Sequence, residues 1–181
     1  MFVQLQAARP LSPQPCPAAA PDAVAIERAR LVDMAQVGPL INSFAMRGLM
    51  LPKTPEQLCR TFREFIVARS ERERVVGCAA LRVYSPGLAE LSGLAVAPQA
   101  GGRGVGRRLV DAILEEARSL GIGTVFALTL EEAFFHRLGF KTVPREAFPQ
   151  KVSADCAACD RRNGCREITV AREVDGKAAL A

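Results

Sequence analysis

The chain has 181 residues, 49% of them hydrophobic and 24% charged, and a formal net charge of +5. That describes one ordinary globular domain, able to bury about 70% of its unfolded surface without disulfide or metal staples. The positive charge suits an anionic ligand. One Tyr, no Trp and no basic run interleaved with aromatics argue against a nucleic-acid binder, and no apolar run is long enough to span a membrane.

Residues 1–22 hold a cluster of prolines (Pro10, Pro13, Pro15, Pro17, Pro21) and lack the pattern of a secretory signal. They are predicted to form an extended or disordered leader before a single domain at 23–181. Val24 to Leu31 alternates like a first strand, with Val24, Ile26 and Arg28 on one side. Asp33 and Gln36 have the spacing of a capping box opening a helix. Val37, Ile41 and Phe44 form its apolar stripe, Gly38-Pro39 weakens its first turn, and Gly48 stops it. Thr54-Pro55-Glu56-Gln57 begins a second, short helix, with Thr as N-cap and Pro in the first turn. Phe65-Ile66-Val67 starts a strand, Ser70 to Arg74 turns the chain, and Val75 to Tyr84 returns.

Ser85-Pro86-Gly87 turns the chain again, and Ala89 to Ala97 forms the next strand. A helix follows from about Gly104 to Leu120, its apolar face carrying Val105, Leu109, Ile113, Ala117 and Leu120. Gly121 and Gly123 end it, and Thr124 to Thr129 is a strand, completing a right-handed βαβ unit. A short helix spans Glu131 to Leu138, and strands at 140–143 and 167–174 complete an α/β fold.

The turn between strand and helix carries the chemistry. Gly101, Gly102, Gly104 and Gly106 leave backbone N–H groups free to converge where the helix dipole is positive. That is an anion cradle suited to a pyrophosphate. It is not a Walker loop, because Arg107 and Arg108 stand where Lys and a magnesium-binding hydroxyl belong, and the dinucleotide spacing Gly-x-Gly-x-x-Gly fails in every register. The spacing present is Gly101-x-x-Gly104-x-Gly106.

This stretch resembles motif A of the GNAT superfamily of N-acetyltransferases, although those enzymes usually carry Gln or Arg where this chain has Gly101. The element order β-α-α-β-β-β-α-β-α-β-β is similar over residues 23–174, and Phe135-His-Arg-Leu-Gly-Phe140 stands where the superfamily commonly reads Tyr-x-x-x-Gly-Phe. The resemblance implies a mixed central sheet flanked by helices, with a βαβ core holding acetyl-CoA. It assigns cofactor contacts to Leu94, Ala95 and Val96 on the strand, to Gly101, Gly102, Arg103, Gly104, Val105, Gly106 and Arg107 at the turn, and to Phe135. It also implies that Glu90 is the base, taking the amine proton through water; alternation puts Glu90 on the strand face of Ser92 and Leu94. Phe135 cannot serve as the acid that the family's tyrosine provides. Nothing in the sequence brings Tyr84 to the sulfur, and His136 is expected at the surface.

Residues 41–54, Val75 to Leu81, Phe126 to Thr129 with Phe134-Phe135, and Lys151-Val-x-x-Asp-Cys156 resemble the short-form N-acetylglutamate synthases. That group acetylates the α-amine of L-glutamate in a ternary complex, opening arginine biosynthesis. The kinase-like, arginine-sensing domain of the long forms has no counterpart in these 181 residues. A substrate with two carboxylates needs cations: the candidates are Arg47, Lys53, Lys151, Arg161 and Arg162, with Lys53 where synthases carry arginine, and Thr129 as a donor. Lys53, Thr129 and Arg161 are the substrate contacts predicted. Another amino acid or small amine as acceptor, or a non-catalytic acyl-CoA sensor, are the rival readings. A cytoplasmic enzyme is expected, and many relatives being dimers suggests a homodimer.

Cys16, Cys59 and Cys78 are scattered and read as leader or buried apolar residues. Cys156-x2-Cys159-x5-Cys165 is a cluster that would need Asp155 or Asp160 as fourth ligand to hold zinc, so no metal is assigned.

Overall fold

A computed structural model describes residues 23–72, 74–151, 155–157, 159 and 164–174. The expected leader and Arg161, Arg162 and Asp160 lie outside the described residues.

Among the described residues, seven strands form one mixed sheet in the order β1-β2-β3-β4-β5-β7-β6. The strands are β1 (Val24–Arg28), β2 (Phe65–Ser70), β3 (Val75–Ser85), β4 (Leu88–Val96), β5 (Thr124–Thr129), β6 (Lys141–Thr142) and β7 (Ile168–Glu173). Only β4 and β5 are parallel, as the βαβ unit requires. The helices are α1 (Met34–Ala45), α2 (Pro55–Thr61), α3 (Val105–Ser119), α4 (Glu132–His136) and α5 (Pro149–Lys151).

The helices divide the core into layers on the two faces of the sheet. On one face α3 lays Val105, Leu109, Ile113 and Ala117 against Ala79, Leu81, Ala89 and Leu91. Leu120, expected on that stripe, lies past the last turn and is 56% exposed. On the other face Val37, Ile41 and Leu58 of α1 and α2 cover Val67, Cys78, Ala80 and Ala95. A third, smaller cluster joins Leu88, Phe126 and Phe148, with Tyr84 against it. Phe148 stacks on Phe126 with centroids 4.3 Å apart, a contact worth about 1 kcal/mol beyond burial.

The Thr54 box forms as expected: Thr54 Oγ1 accepts from the Gln57 N–H, and Gln57 Oε1 from the Thr54 N–H. The Asp33–Gln36 box does not. Asp33 instead accepts from the Arg30 N–H at 2.7 Å and from Arg69 Nη2 at 2.8 Å, while Gln36 Oε1 accepts from the Val75 N–H at 3.1 Å. Arg69 is 5% exposed, so a buried cation had a prior need for the Asp33 carboxylate. β1 ends at Arg28, whose guanidinium pairs with Glu116 of α3 at 2.8 Å. Cys78 is fully buried, and burial pushes its thiol up to about 12, but Cys59 on α2 is exposed and not part of the core.

Candidate functional site

β4 and β5 pair only over Leu88↔Thr124, Ala89↔Val125 and Glu90↔Phe126. Past Glu90 the two strands part: β4 stays on β3, and β5 stays on β7 to Thr129. The Ala97 N–H donates to Val76 on the β3 side at 2.8 Å. Main-chain donors alternate along a strand, so the amides of Leu94 and Val96 point the other way, into the gap.

Beyond the gap the chain enters α3 through the glycine turn. Gly102 and Gly104 sit at φ +71° and +73°, a conformation that L side chains resist. Gly104 occupies the N-cap, so the first turn of α3 has no side-chain cap and its amides stay available. A Cβ at Gly101 would come 3.1 Å from the Pro98 carbonyl oxygen, so this backbone has little room for the Gln or Arg usual there. Arg103 and Arg107 are exposed beside the turn, Arg107 facing Asp111 at 3.6 Å, and Val105 is buried under it. These features fit a bound diphosphate with an acyl arm along β4. The ring against the turn is Phe134, 3.4 Å from where a Gly106 Cβ would stand. Phe135 is 4% exposed and packs edge-on against Phe134 and Phe140 in the core.

Alternation fails along β4. Cys78 pairs with Ala95 and Ala80 with Ser92, so β4 bulges between them, at a Gly93 with φ +60°. Leu94 and Val96 therefore pack on the α3 face, and Ala95 on the other. Glu90 shares the face of Ser92 and Ala95, not that of Leu94, which corrects the sequence expectation.

Glu90 is 4% exposed and meets Tyr84, six positions earlier on β3, and Lys151, 61 positions later. Its Oε2 accepts from Lys151 Nζ at 2.9 Å and lies 3.0 Å from the Tyr84 hydroxyl oxygen. Both donors also reach Asp155 Oδ2, Lys151 at 3.0 Å and Tyr84 in a short contact, and Arg82 Nη1 adds a third donor at 3.2 Å. Burial opposes charge on Asp155, but the bonds from Tyr84 and Lys151 and the charges of Lys151 and Arg82 hold its carboxyl below the usual range. Burial also opposes charge on Lys151, and Glu90 and Asp155 outweigh it, keeping the ammonium charged. Burial raises the Tyr84 phenol, and the two carboxylates raise it further, so it is neutral. Lys151, expected as a substrate cation, is thus committed to the protein's own carboxylates. The Phe148–Phe126 stack holds the chain that delivers Lys151 beside Glu90's neighbour on β5.

Burial pushes the Glu64 carboxyl above its usual range, and Arg82, Lys53 and Glu90 all act on it electrostatically. Lys53 is tied to α1, which covers the sheet face that Glu90 shares with Ala95. The Lys53 backbone is fixed by Asn42, whose side-chain amide bonds its N–H and carbonyl at 2.9 and 3.0 Å. Thr129 is 9% exposed and its Oγ1 accepts from the Glu131 N–H. His136 is exposed, its Nε2 2.8 Å from Thr142 Oγ1. A cavity of about 380 Å³ opens between the α1–α2 loop (Gly48, Leu51), Leu130 after β5, and Cys159, Gly164, Cys165, Arg166 and Glu167. Arg166, absent from the sequence candidates, is the cation among the described residues of its wall. Cys156, Cys159 and Cys165 are free thiols. Among the described residues no three His, Cys, Asp or Glu side chains are grouped to hold a metal ion, and no helix is long and apolar enough to cross a membrane.

Residues 43–140 match the acetyltransferase (GNAT) family. The chain belongs to the GNAT family. It is an acetyltransferase that takes acetyl-CoA as co-substrate. It is 37% identical over 150 residues to an uncharacterized N-acetyltransferase of Chlorobaculum tepidum, covering 81% of this chain and 94% of that one. It is 37% identical over 120 residues to the amino-acid acetyltransferase of Mycobacterium tuberculosis, covering 65% of this chain and 68% of that one. The fold superposes on N-acetylglutamate synthase of Neisseria gonorrhoeae, complexed with coenzyme A and N-acetyl-glutamate, with a TM-score of 0.77 and 30% identity, over 86% of this chain and 36% of that one.

Proposed function

We propose that this GNAT enzyme transfers the acetyl group of acetyl-CoA directly to the α-amine of L-glutamate. The observation that carries the reaction is the parting of β4 from β5 at Glu90, which turns the Leu94 and Val96 amides into the gap beside a glycine-capped α3. The glutamate acceptor is supported by the N-acetylglutamate synthase and amino-acid acetyltransferase relatives.

The co-substrate supplies the acetyl group as a thioester with a leaving thiolate. The amides at 101–106, with Arg103 and Arg107, hold the diphosphate. The Leu94 and Val96 amides steady the carbonyl oxygen as it gains charge. Glu90 takes a proton from the substrate ammonium through water. Tyr84 is tied to Glu90 and Asp155, so no phenol is free to protonate the sulfur; a thiol near its ordinary pKa leaves as thiolate. Arg166 on the cavity wall and Lys53 on the Glu90 side are the cations for the substrate carboxylates, and Thr129 at the end of β5 is a hydroxyl donor.

Coenzyme A release, followed as free thiol over the common amino acids, tests this. Turnover that requires L-glutamate is the expected result. Turnover with another amine alone identifies a different acceptor. Glu167 on the cavity wall, a carboxylate beside Arg166, favours that second reading for a substrate with fewer negative charges. Binding without any turnover identifies a sensor.

A further inference from the structure

A base that is reset in every cycle needs a way out for its proton. Each amide bond formed from an ammonium releases one proton beyond the one that goes to the thiolate. The Glu90 side chain is 6% exposed, and that of Asp155 is 30% exposed. Tyr84 stands between them, its hydroxyl oxygen 3.0 Å from Glu90 Oε2 and in contact with Asp155 Oδ2.

A phenol has one proton and can donate to one carboxylate at a time. With both carboxylates ionised, that proton lies toward Asp155, and Lys151 holds Glu90 Oε2. The second contact of the phenol becomes a hydrogen bond only when Glu90 itself carries a proton. That is its state just after acyl transfer.

We propose that Tyr84 relays the proton taken up by Glu90 to Asp155 and so to solvent, acting through Glu90 rather than on the substrate. The Glu90 O–H bond breaks as its proton joins the Tyr84 oxygen, while the Tyr84 O–H bond breaks as its own proton joins Asp155 Oδ2. Tyrosine is neutral before and after. Water then takes the proton from Asp155, whose carboxyl Lys151 and Arg82 hold below the usual range, and the phenol proton swings back. Lys151 touches the same two oxygens at 2.9 and 3.0 Å, but a charged ammonium has no lone pair to receive a proton.

The relay rests on Glu90 being the base, and the two ideas fail differently. Stopped-flow coenzyme A release is followed with L-glutamate, or with whichever amine the acceptor screen identifies, in wild type, Glu90→Gln, Tyr84→Phe and Asp155→Asn, each first checked for coenzyme A binding as evidence of folding. Wild type should run linearly from the first turnover. Tyr84→Phe should release one coenzyme A per site near the wild-type rate and then slow at least tenfold. Asp155→Asn breaks the relay at its other end and should show the same burst. A Tyr84→Phe steady state within twofold of wild type would overturn the relay, as would a first turnover slowed as much as later ones. Full activity in Glu90→Gln would overturn the base, and the relay with it.

Discussion

Glu90 and Lys151 are 61 positions apart in the chain and 2.9 Å apart in space. The carboxylate lies on a buried strand and the ammonium at the end of a three-residue helix whose approach is fixed by the stacking of Phe148 on Phe126. Neither charge would tolerate that depth without the other.

Lys151→Met would leave Glu90 and Asp155 as two carboxylates meeting at one phenol. Like charges so placed favour uptake of a proton, which removes a base. Activity near neutral pH is expected to fall about 10- to 100-fold, to recover as pH rises, and to be largely kept in Lys151→Arg. The kcat of the three enzymes across the pH range checks this. In wild type the Lys151 ammonium is held charged by Glu90 and Asp155, so its contribution should persist into the alkaline range.

Gly104→Ala tests the cradle. A Cβ there meets nothing within 4 Å, so the cost comes from the φ of +73° alone. About 1 kcal/mol of stability should be lost. The KM for acetyl-CoA should rise as the amides move, with the KM for the amine little changed. Thermal melts and paired saturation curves measure both.

The buried Asp33–Arg69 pair governs acid stability. Burial opposes charge on Asp33, but the Arg30 amide and the Arg69 guanidinium hold its carboxyl below the usual range. An unfolded aspartate titrates at about 3.9. The stabilisation is therefore fully present above that pH and lost as pH falls through the lower, folded value. Asp33→Asn should cost about 3 kcal/mol at neutral pH and flatten the acid limb of stability, read from urea melts across pH.

The sheet and its helices were legible because their signals are local. Thr124–Thr129 stands where its β-rich run predicts, and the Thr54 box and the glycine turn behave as their residues require. The face of Glu90 was not legible. Alternation assumes unbroken pairing, and the bulge at Gly93 reverses every side chain beyond it. The hold of Lys151 on Glu90 was hidden too, because no period connects a strand to a short helix 61 residues later. Phe134 and Phe135 are adjacent and alike, and only packing shows which one meets Gly106.

The most direct measurement is a crystal structure with coenzyme A and N-acetyl-L-glutamate. The account predicts the diphosphate on the amides of 101–106, the sulfur in the gap beside Leu94 and Val96, and the product nitrogen within one water of Glu90. A diphosphate bound elsewhere, or a product nitrogen out of reach of Glu90, would contradict it.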